Sequence, residues 1–320
     1  MFYLEDKNYT LFNTPSTSFF TWYKPSGFKY LHIIACGGGG GGGSGASGGE
    51  ENAGGGGGGG SGVHFSTIIE AWRCPDVLYI LIGAGGNGGN AATGANGASG
   101  TAGGDTSISL RPVSDNQNNL VRCPGGGGGG GGTTGAGAAG TAGSPNTLAL
   151  SNFAGILLPG RPGLASATNI TASGDPGTAG AGNRSNAPNN DHAASSGRFI
   201  LGGTGGGGLG RNDENSYTGG AHTTTVPGWF NILGGQSTGV TTGGLPGRDG
   251  FLGLRNFGFF VSGGTGGAST GGNPGAGLTG GTGGKGILGS GGGGGGASPT
   301  ARASGAGGRG GDGFVLIKPL

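Results

Sequence analysis

Long glycine runs interrupt this sequence throughout, and they cannot supply an ordinary hydrophobic core. Uninterrupted runs stand at 37–43, 54–60, 125–132, 205–208 and 291–296. Interrupted ones stand at 83–89 (GAGGNGG), 263–267 and 280–284 (both GGTGG) and 307–311 (GGRGG). Glycine makes up 94 of the 320 residues, charged residues 9 % and hydrophobic residues 32 %. Ordinary globular chains carry about 25 % charged and about 45–50 % apolar residues. Most of this chain must therefore be held by something other than buried aliphatic side chains. The runs are irregularly spaced, which excludes a collagen triple helix, where glycine occupies every third place.

Between the runs lies text that reads as β-strand. Residues 18–24 (SFFTWYK) and 28–36 (FKYLHIIAC), with Pro25-Ser26-Gly27 between them, predict a hairpin. Residues 63–72 (VHFSTIIEAW) and 77–82 (VLYILI) repeat the pattern around Cys74-Pro75-Asp76. Weaker strands are expected at 106–110, 119–123, 198–201, 257–261 and 314–318.

Glycine and serine tracts are flexible coil by default. Here they follow directly on strong strands, Cys36 into Gly37 and Ile82 into Gly83. Connections in compact domains are usually about 4–6 residues, so disordered tracts would leave a chain that is mostly loop. Glycine readily adopts the polyproline II geometry, which has no internal hydrogen bonds. Without β-carbons, neighbouring segments can approach and bond to each other through N–H···O and Cα–H···O contacts. Fixing each glycine costs about 1–2 kcal/mol. One isolated segment therefore cannot persist, but a bundle clamped by a β-framework can.

The net charge is +2 with no dense basic run, which gives little support to nucleic-acid binding. No apolar run is long enough to span a bilayer. Residues 1–15 include Glu5 and Asp6 and lack the basic-then-apolar layout of a secretory signal. Cys36, Cys74 and Cys123 are odd in number and lack CxxC spacing. They read as small buried side chains near strand ends, not as a metal site or a disulfide framework.

The motifs that suggest chemistry are weak in so glycine-rich a chain. Residues 280–286 (GGTGGKG) evoke a phosphate loop around Lys285, but Thr279 and Gly286 occupy places that the motif needs for Gly and Ser or Thr. GxSxG occurs around Ser47, Ser237 and Ser269 without the strand–turn–helix context of a nucleophile. Residues 307–315 match one calcium-binding nonapeptide with Asp312 as ligand, but such sites need stacked copies. The expectation is therefore no enzyme, no cofactor and no metal. Residues 209–260 are more informative. There Arg211, Asn212, Tyr217, His222, Trp229 and Phe230 mix aromatic rings with adaptable polar groups, the composition of a binding loop set.

The sequence Trp22-Tyr23-Lys24-Pro25-Ser26-Gly27, the strand over 30–35 and the glycine run after it resemble the glycine-rich domain of phage tail-fibre proteins. Residues 78–89 (LYILIGAGGNGG) and 307–317 (GGRGGDGFVLI) are similar to that family's second strand and to its closing strand. More distantly, the chain resembles the tail-tip adhesins of T-even-like phages, whose glycine tracts pack as polyglycine II helices and display variable loops.

The resulting expectation is one glycine-rich domain over 1–320. It is all-β, a small antiparallel β-sandwich framework carrying a bundle of packed polyglycine II helices. The framework comes from 18–36, 63–82, 106–123 and 314–318, and the loop excursions from 144–200 and 209–262. The resemblance implies a virion protein that binds a host surface glycan or protein through its loops, with the six residues named above as contacts. Its partners would be other virion proteins and further copies of itself, with a homotrimer expected by analogy. The alternative is an architectural virion protein without a receptor role; an ice-binding bundle would need regular G-x-x triplets, and the irregular runs speak against it.

Overall fold

The computed structural model describes residues 9–48, 53–113, 118–133, 244–255, 258–270, 279–299 and 302–320, with short pieces at 156–158, 192–193, 203, 219–220 and 222–223. Its strands are β1 (Thr10–Phe12), β2 (Phe20–Tyr23), β3 (Tyr30–Cys36), β4 (Ser47–Gly48), β5 (His64–Glu70), β6 (Val77–Leu81), β7 (Thr106–Ser109) and β8 (Asn119–Cys123). They continue with β9 (Ile156–Leu158), β10 (His192–Ala193), β11 (His222–Thr223), β12 (Leu252–Arg255), β13 (Gly258–Val261), β14 (Ser298–Pro299) and β15 (Phe314–Pro319). The excursions 144–200 and 209–262 fall largely outside the described residues, as does the strand expected at 198–201.

Two antiparallel sheets form the framework, one ordered β1-β15-β3-β5-β9 and the other β2-β6-β7-β8. Alternation along the strands builds the core between them. Leu31, Ile33 and Ala35 of β3, Phe65 of β5 and Val315 and Ile317 of β15 face Trp22, Leu78, Ile80, Ile108 and Val121 of the second sheet. Phe12 and Phe20 close one edge, with ring centroids 5.7 Å apart. A second cluster covers part of the outer face of the larger sheet. Its buried members are Ile34, Cys36, Val261 and Phe314, with Leu252, Ile287 and Leu316 packed against them.

The hairpin expected across Pro25-Ser26-Gly27 does not form. β2 pairs with β6, and β3 pairs with β15 and β5, so the turn carries the chain from one sheet to the other. The connection Ala71–Arg73 to Val77 makes the same crossing in reverse. Strong adjacent strands joined by a short turn satisfy hairpin and sandwich alike. The choice falls to the apolar faces, which pair only when the strands alternate between sheets.

Glycine segments continue from these strands on one side of the sandwich. β3 runs into 37–47, β6 into 83–92 and β8 into 124–132, while 54–63, 95–104 and 303–311 lead into β5, β7 and β15. Segment 37–47 is the hub. Its N–H groups at 37, 40, 43 and 46 donate to Val63, Gly60, Gly57 and Gly54. Those at 38, 41, 44 and 47 donate to Gly104, Thr101, Ala98 and Ala95, and those at 39, 42 and 45 to Gly311, Gly308 and Gly305. Its carbonyls accept on the same three-residue repeat. Gly126, Gly129 and Gly132 donate to 38, 41 and 44, Gly86 and Gly89 to 39 and 42, and Gly292, Gly295 and Ser298 to 40, 43 and 46. Six segments thus surround one, three accepting from its N–H groups and three donating to its carbonyls.

The expected bundle of polyglycine II helices is corrected by this structure. Among the described residues the one helical piece is the 3-10 turn Ala71–Arg73, and the glycine segments contain no helix of any length. The segments around the hub that adjoin β3, β5, β6, β7, β8 and β15 prolong those strands, so the chain leaves the sheet still extended and is then bonded sideways to other segments.

Such close approach excludes side chains. A β-carbon on Gly40 would lie 2.0 Å from the carbonyl oxygen of Gly127, a backbone atom that cannot turn aside. Serine and alanine occur only where the lattice leaves room, as at the fully buried cluster Ala46, Ala53 and Ala297. Gly289 adopts φ +79° in the turn between segments 279–286 and 290–298, packed against the Cys36 side chain.

Three outcomes follow. Gly40→Ala should destabilise the chain by about 3 kcal/mol or more, at the upper end of overpacking costs. Ala102→Gly, on the exposed flank, should cost less than about 1 kcal/mol. Chemical denaturation of both variants measures this. Amide exchange at 38–46 should be slowed like that of β3, because every N–H there is taken within the lattice. Finally, burial lowers the His64 imidazole from its ordinary 6.5 to about 4, with the His32 charge a lesser cause. The unfolded chain therefore takes up that proton first. The stability from keeping His64 neutral is complete above pH 6.5 and falls as pH drops toward 4, by roughly 3 kcal/mol at most. Thermal melts between pH 7 and 4 should show this loss, and His64→Gln should reduce it.

Candidate functional site

Polarity is the feature of this architecture that bears most on function. The sandwich stands at one end, and the far end of the glycine lattice is closed by turns. Segment 83–92 returns to 95–104 through Thr93 and Gly94, the latter at φ +64°. Segments 37–47 and 54–63 are joined through 48–53, segments 290–298 and 303–311 through 299–302, and the chain leaves segment 124–132 after Thr133. Thr133, the last described residue of that segment, stands at this far end, which we call the tip.

Serine side chains tie the tip turns together. The buried Ser47 hydroxyl accepts the Gly94 N–H at 2.8 Å and donates to the Arg302 carbonyl at 2.6 Å. Ser298 donates to the same carbonyl at 2.9 Å, and Ser304 accepts the Ala92 N–H at 2.9 Å. A bridge joins Thr93 to Ala303. The described surface of the tip is made mainly of small residues, among them Ala91, Thr93, Gly94 and Ala95, with Asn90, Asn96 and the half-buried Arg302 beside them.

Arg211, Asn212, Tyr217, Trp229 and Phe230 lie outside the described residues. Only the backbone of His222 is placed, in β11, paired in parallel with His192 of β10. The structure therefore does not test whether these six residues converge.

The catalytic-looking motifs are absorbed by the scaffold. In 280–286 the N–H groups of Gly280, Gly281, Gly283, Gly284 and Gly286 donate to other segments, and that of Lys285 donates to Asp249 at 2.8 Å, so these six are not free to cradle a phosphate. Ser47 and Ser269 are fully buried, and Ser237 lies outside the described residues. The Asp312 carboxylate accepts the Gly85 N–H at 2.7 Å and pairs with Arg309, which makes it a lattice tie. Asp105 does the same between Arg122 and the Gly125 N–H.

The three cysteines are free and buried. Burial raises all three thiols, Cys74 to about 11, so they stay protonated and act as packing groups. Among the described residues no group of His, Cys, Asp and Glu is placed to hold a metal ion. No helix among them is long and apolar enough to cross a membrane.

The opposite end, the base of the sandwich, carries residues that the sequence reading took simply as strand text. The turn Ala71–Arg73 presents Trp72 at 78 % exposure, with the Arg73 guanidinium 6.0 Å from the centre of its ring. Tyr23, Tyr30 and Leu320 are exposed beside it. The turn is fixed from several sides. Lys24 Nζ donates to the Ala71 and Cys74 carbonyls at 3.1 and 2.7 Å and pairs with Asp76 at 2.7 Å. The Ala71 N–H donates to Lys29, and the Lys29 and Tyr30 N–H groups donate to Leu320. A tryptophan two places past a strand and three before a proline was the available signal.

No curated protein sequence matches the chain. A family profile described as a glycine-rich domain matches residues 14–319, from just before β2 to the end of β15. The paired sheets and the cross-bonded glycine segments together occupy that span, and the chain belongs to the glycine-rich domain family.

Proposed function

We propose that this chain is a non-enzymatic virion protein of the tail-fibre or tail-tip adhesin type, which contacts a host surface receptor through the loops beyond its glycine lattice. The observation that supports this most is the polarity of the fold. Adjoining segments run side by side from sandwich to tip, and each N–H of the hub is held by a neighbour. A body of that kind is a stiff spacer. It costs nothing in side-chain ordering, and it holds the sandwich and the tip apart. Residues 134–243, most of which lie outside the described residues, contain Arg211, Asn212, Tyr217, His222, Trp229 and Phe230. Aromatic rings with polar neighbours are suited to binding a glycan or protein.

A second reading, an architectural virion component without receptor contact, is favoured by the small residues on the described part of the tip. Interfaces usually need large aromatic or arginine anchors. Competition for adsorption separates the two. If the adhesin reading holds, purified chain blocks attachment of the particles to their host in a dose-dependent way, and Trp229→Ala with Phe230→Ala weakens the block. Unchanged adsorption at saturating protein would rule that reading out and leave the architectural one.

A further inference from the structure

We infer that the base of the sandwich is a docking face for another protein of the particle, one that offers an apolar pocket rimmed by carboxylates. This rests on the virion reading above and adds to it which end of the molecule attaches. The argument begins with Trp72. An indole 78 % exposed forgoes the burial that large aromatic side chains normally gain, and Tyr23 is 73 % exposed at the same end.

Neither side chain is on a loose loop. The Trp72 turn is pinned by Lys24, by the Lys29 carbonyl and by its own Ala71–Cys74 hydrogen bond. Tyr23 lies on β2 opposite Val77. A rigid, projecting tryptophan loses little entropy when it is captured, which is how interface anchors gain affinity. Because it projects from a convex end, its acceptor must be concave.

Charge identifies the rim of that acceptor. Lys24, Lys29 and Arg73 stand at this end against Glu70 and Asp76, and Asp76 is already paired with Lys24. Arg73 lies against the Trp72 ring, so its cation would enter the interface with the indole. Tyrosine, tryptophan and arginine around an exposed apolar patch are the residues enriched at protein interfaces. The excess of cations favours an acidic partner and repels a second copy of the same face. The glycine segments point away from this end, so docking here leaves the tip clear.

The test uses the full chain and particles assembled without it. Labelled wild-type chain is titrated onto those particles and bound chain is counted after sedimentation. Trp72→Ala and Arg73→Glu should each weaken binding by roughly tenfold or more, and binding should fall as salt rises. Their thermal midpoints should match wild type, because both side chains are exposed. Tyr23→Ala provides a second probe if Trp72→Ala fails to fold. Ala102→Gly, on the lattice flank, should bind like the parent.

Base variants that bind like wild type, while wild type itself binds, would overturn this inference and leave the virion reading intact. Wild type that fails to bind the particles would overturn both. If wild type self-associates and Trp72→Ala is monomeric with unchanged particle binding, the occupant is a second copy and the inference also falls.

Discussion

Hydrogen bonds between backbones of different segments, repeating every three residues, are what the rest of this structure depends on. Glycine brings no side chain to bury, so the usual hydrophobic gain is missing over nearly a third of the chain. A buried N–H or C=O without a partner would cost about 1–3 kcal/mol. The hub segment 37–47 meets this requirement by giving each N–H to one of three neighbours and by accepting from three others. Each bond nets only about 0.5–1.5 kcal/mol, against about 1–2 kcal/mol for fixing the residue. The lattice therefore sits close to balance and needs outside support.

The sandwich supplies that support. Its core of Phe65, Leu31, Ile33, Leu78, Ile80 and Ile108 is conventional and well buried. Because the strands alternate in direction, β3, β6 and β8 launch segments outward while β5, β7 and β15 receive them. Strand pairing thereby sets the spacing, register and direction of the first glycine bonds beyond the sheet. Gly37 and Val63, bonded at 3.1 Å, continue the pairing of Cys36 with His64 without a break. Growth from a fixed register spares the lattice the entropy of finding its own. The opposite end is tied by Ser47, Ser298 and Ser304, whose hydroxyls fill the gaps where three turns meet.

The same construction separates the two ends of the molecule. Side chains are excluded from the lattice interior, so recognition is confined to its flanks and ends. The base holds Trp72, Tyr23, Tyr30 and a set of cations on pinned backbone, while the described tip holds mainly small residues. Asp105 and Asp312, acidic groups that could have passed for ligands, instead accept backbone N–H groups from the lattice.

Much of this was legible in the residues. Bulky alternating stretches named seven of the framework strands. Glycine runs placed directly against them pointed to ordered, cross-bonded backbone, since slack tethers would leave a chain of loops. The pairing was not legible. The residues 18–36 read as a hairpin because the alternation of two neighbouring strands is the same whether they pair or face each other. The helical form expected of the glycine runs also failed, because a run without side chains carries no local preference and takes its path from the strand it prolongs. Trp72 read as strand text because periodicity cannot distinguish a ring turned inward from one at a crossing between sheets. Composition alone determined that backbone, not side chains, would fill this molecule. Which segments meet, in which direction and with which end left open, was decided only in three dimensions, because identical glycines become distinguishable only by the neighbour each one touches.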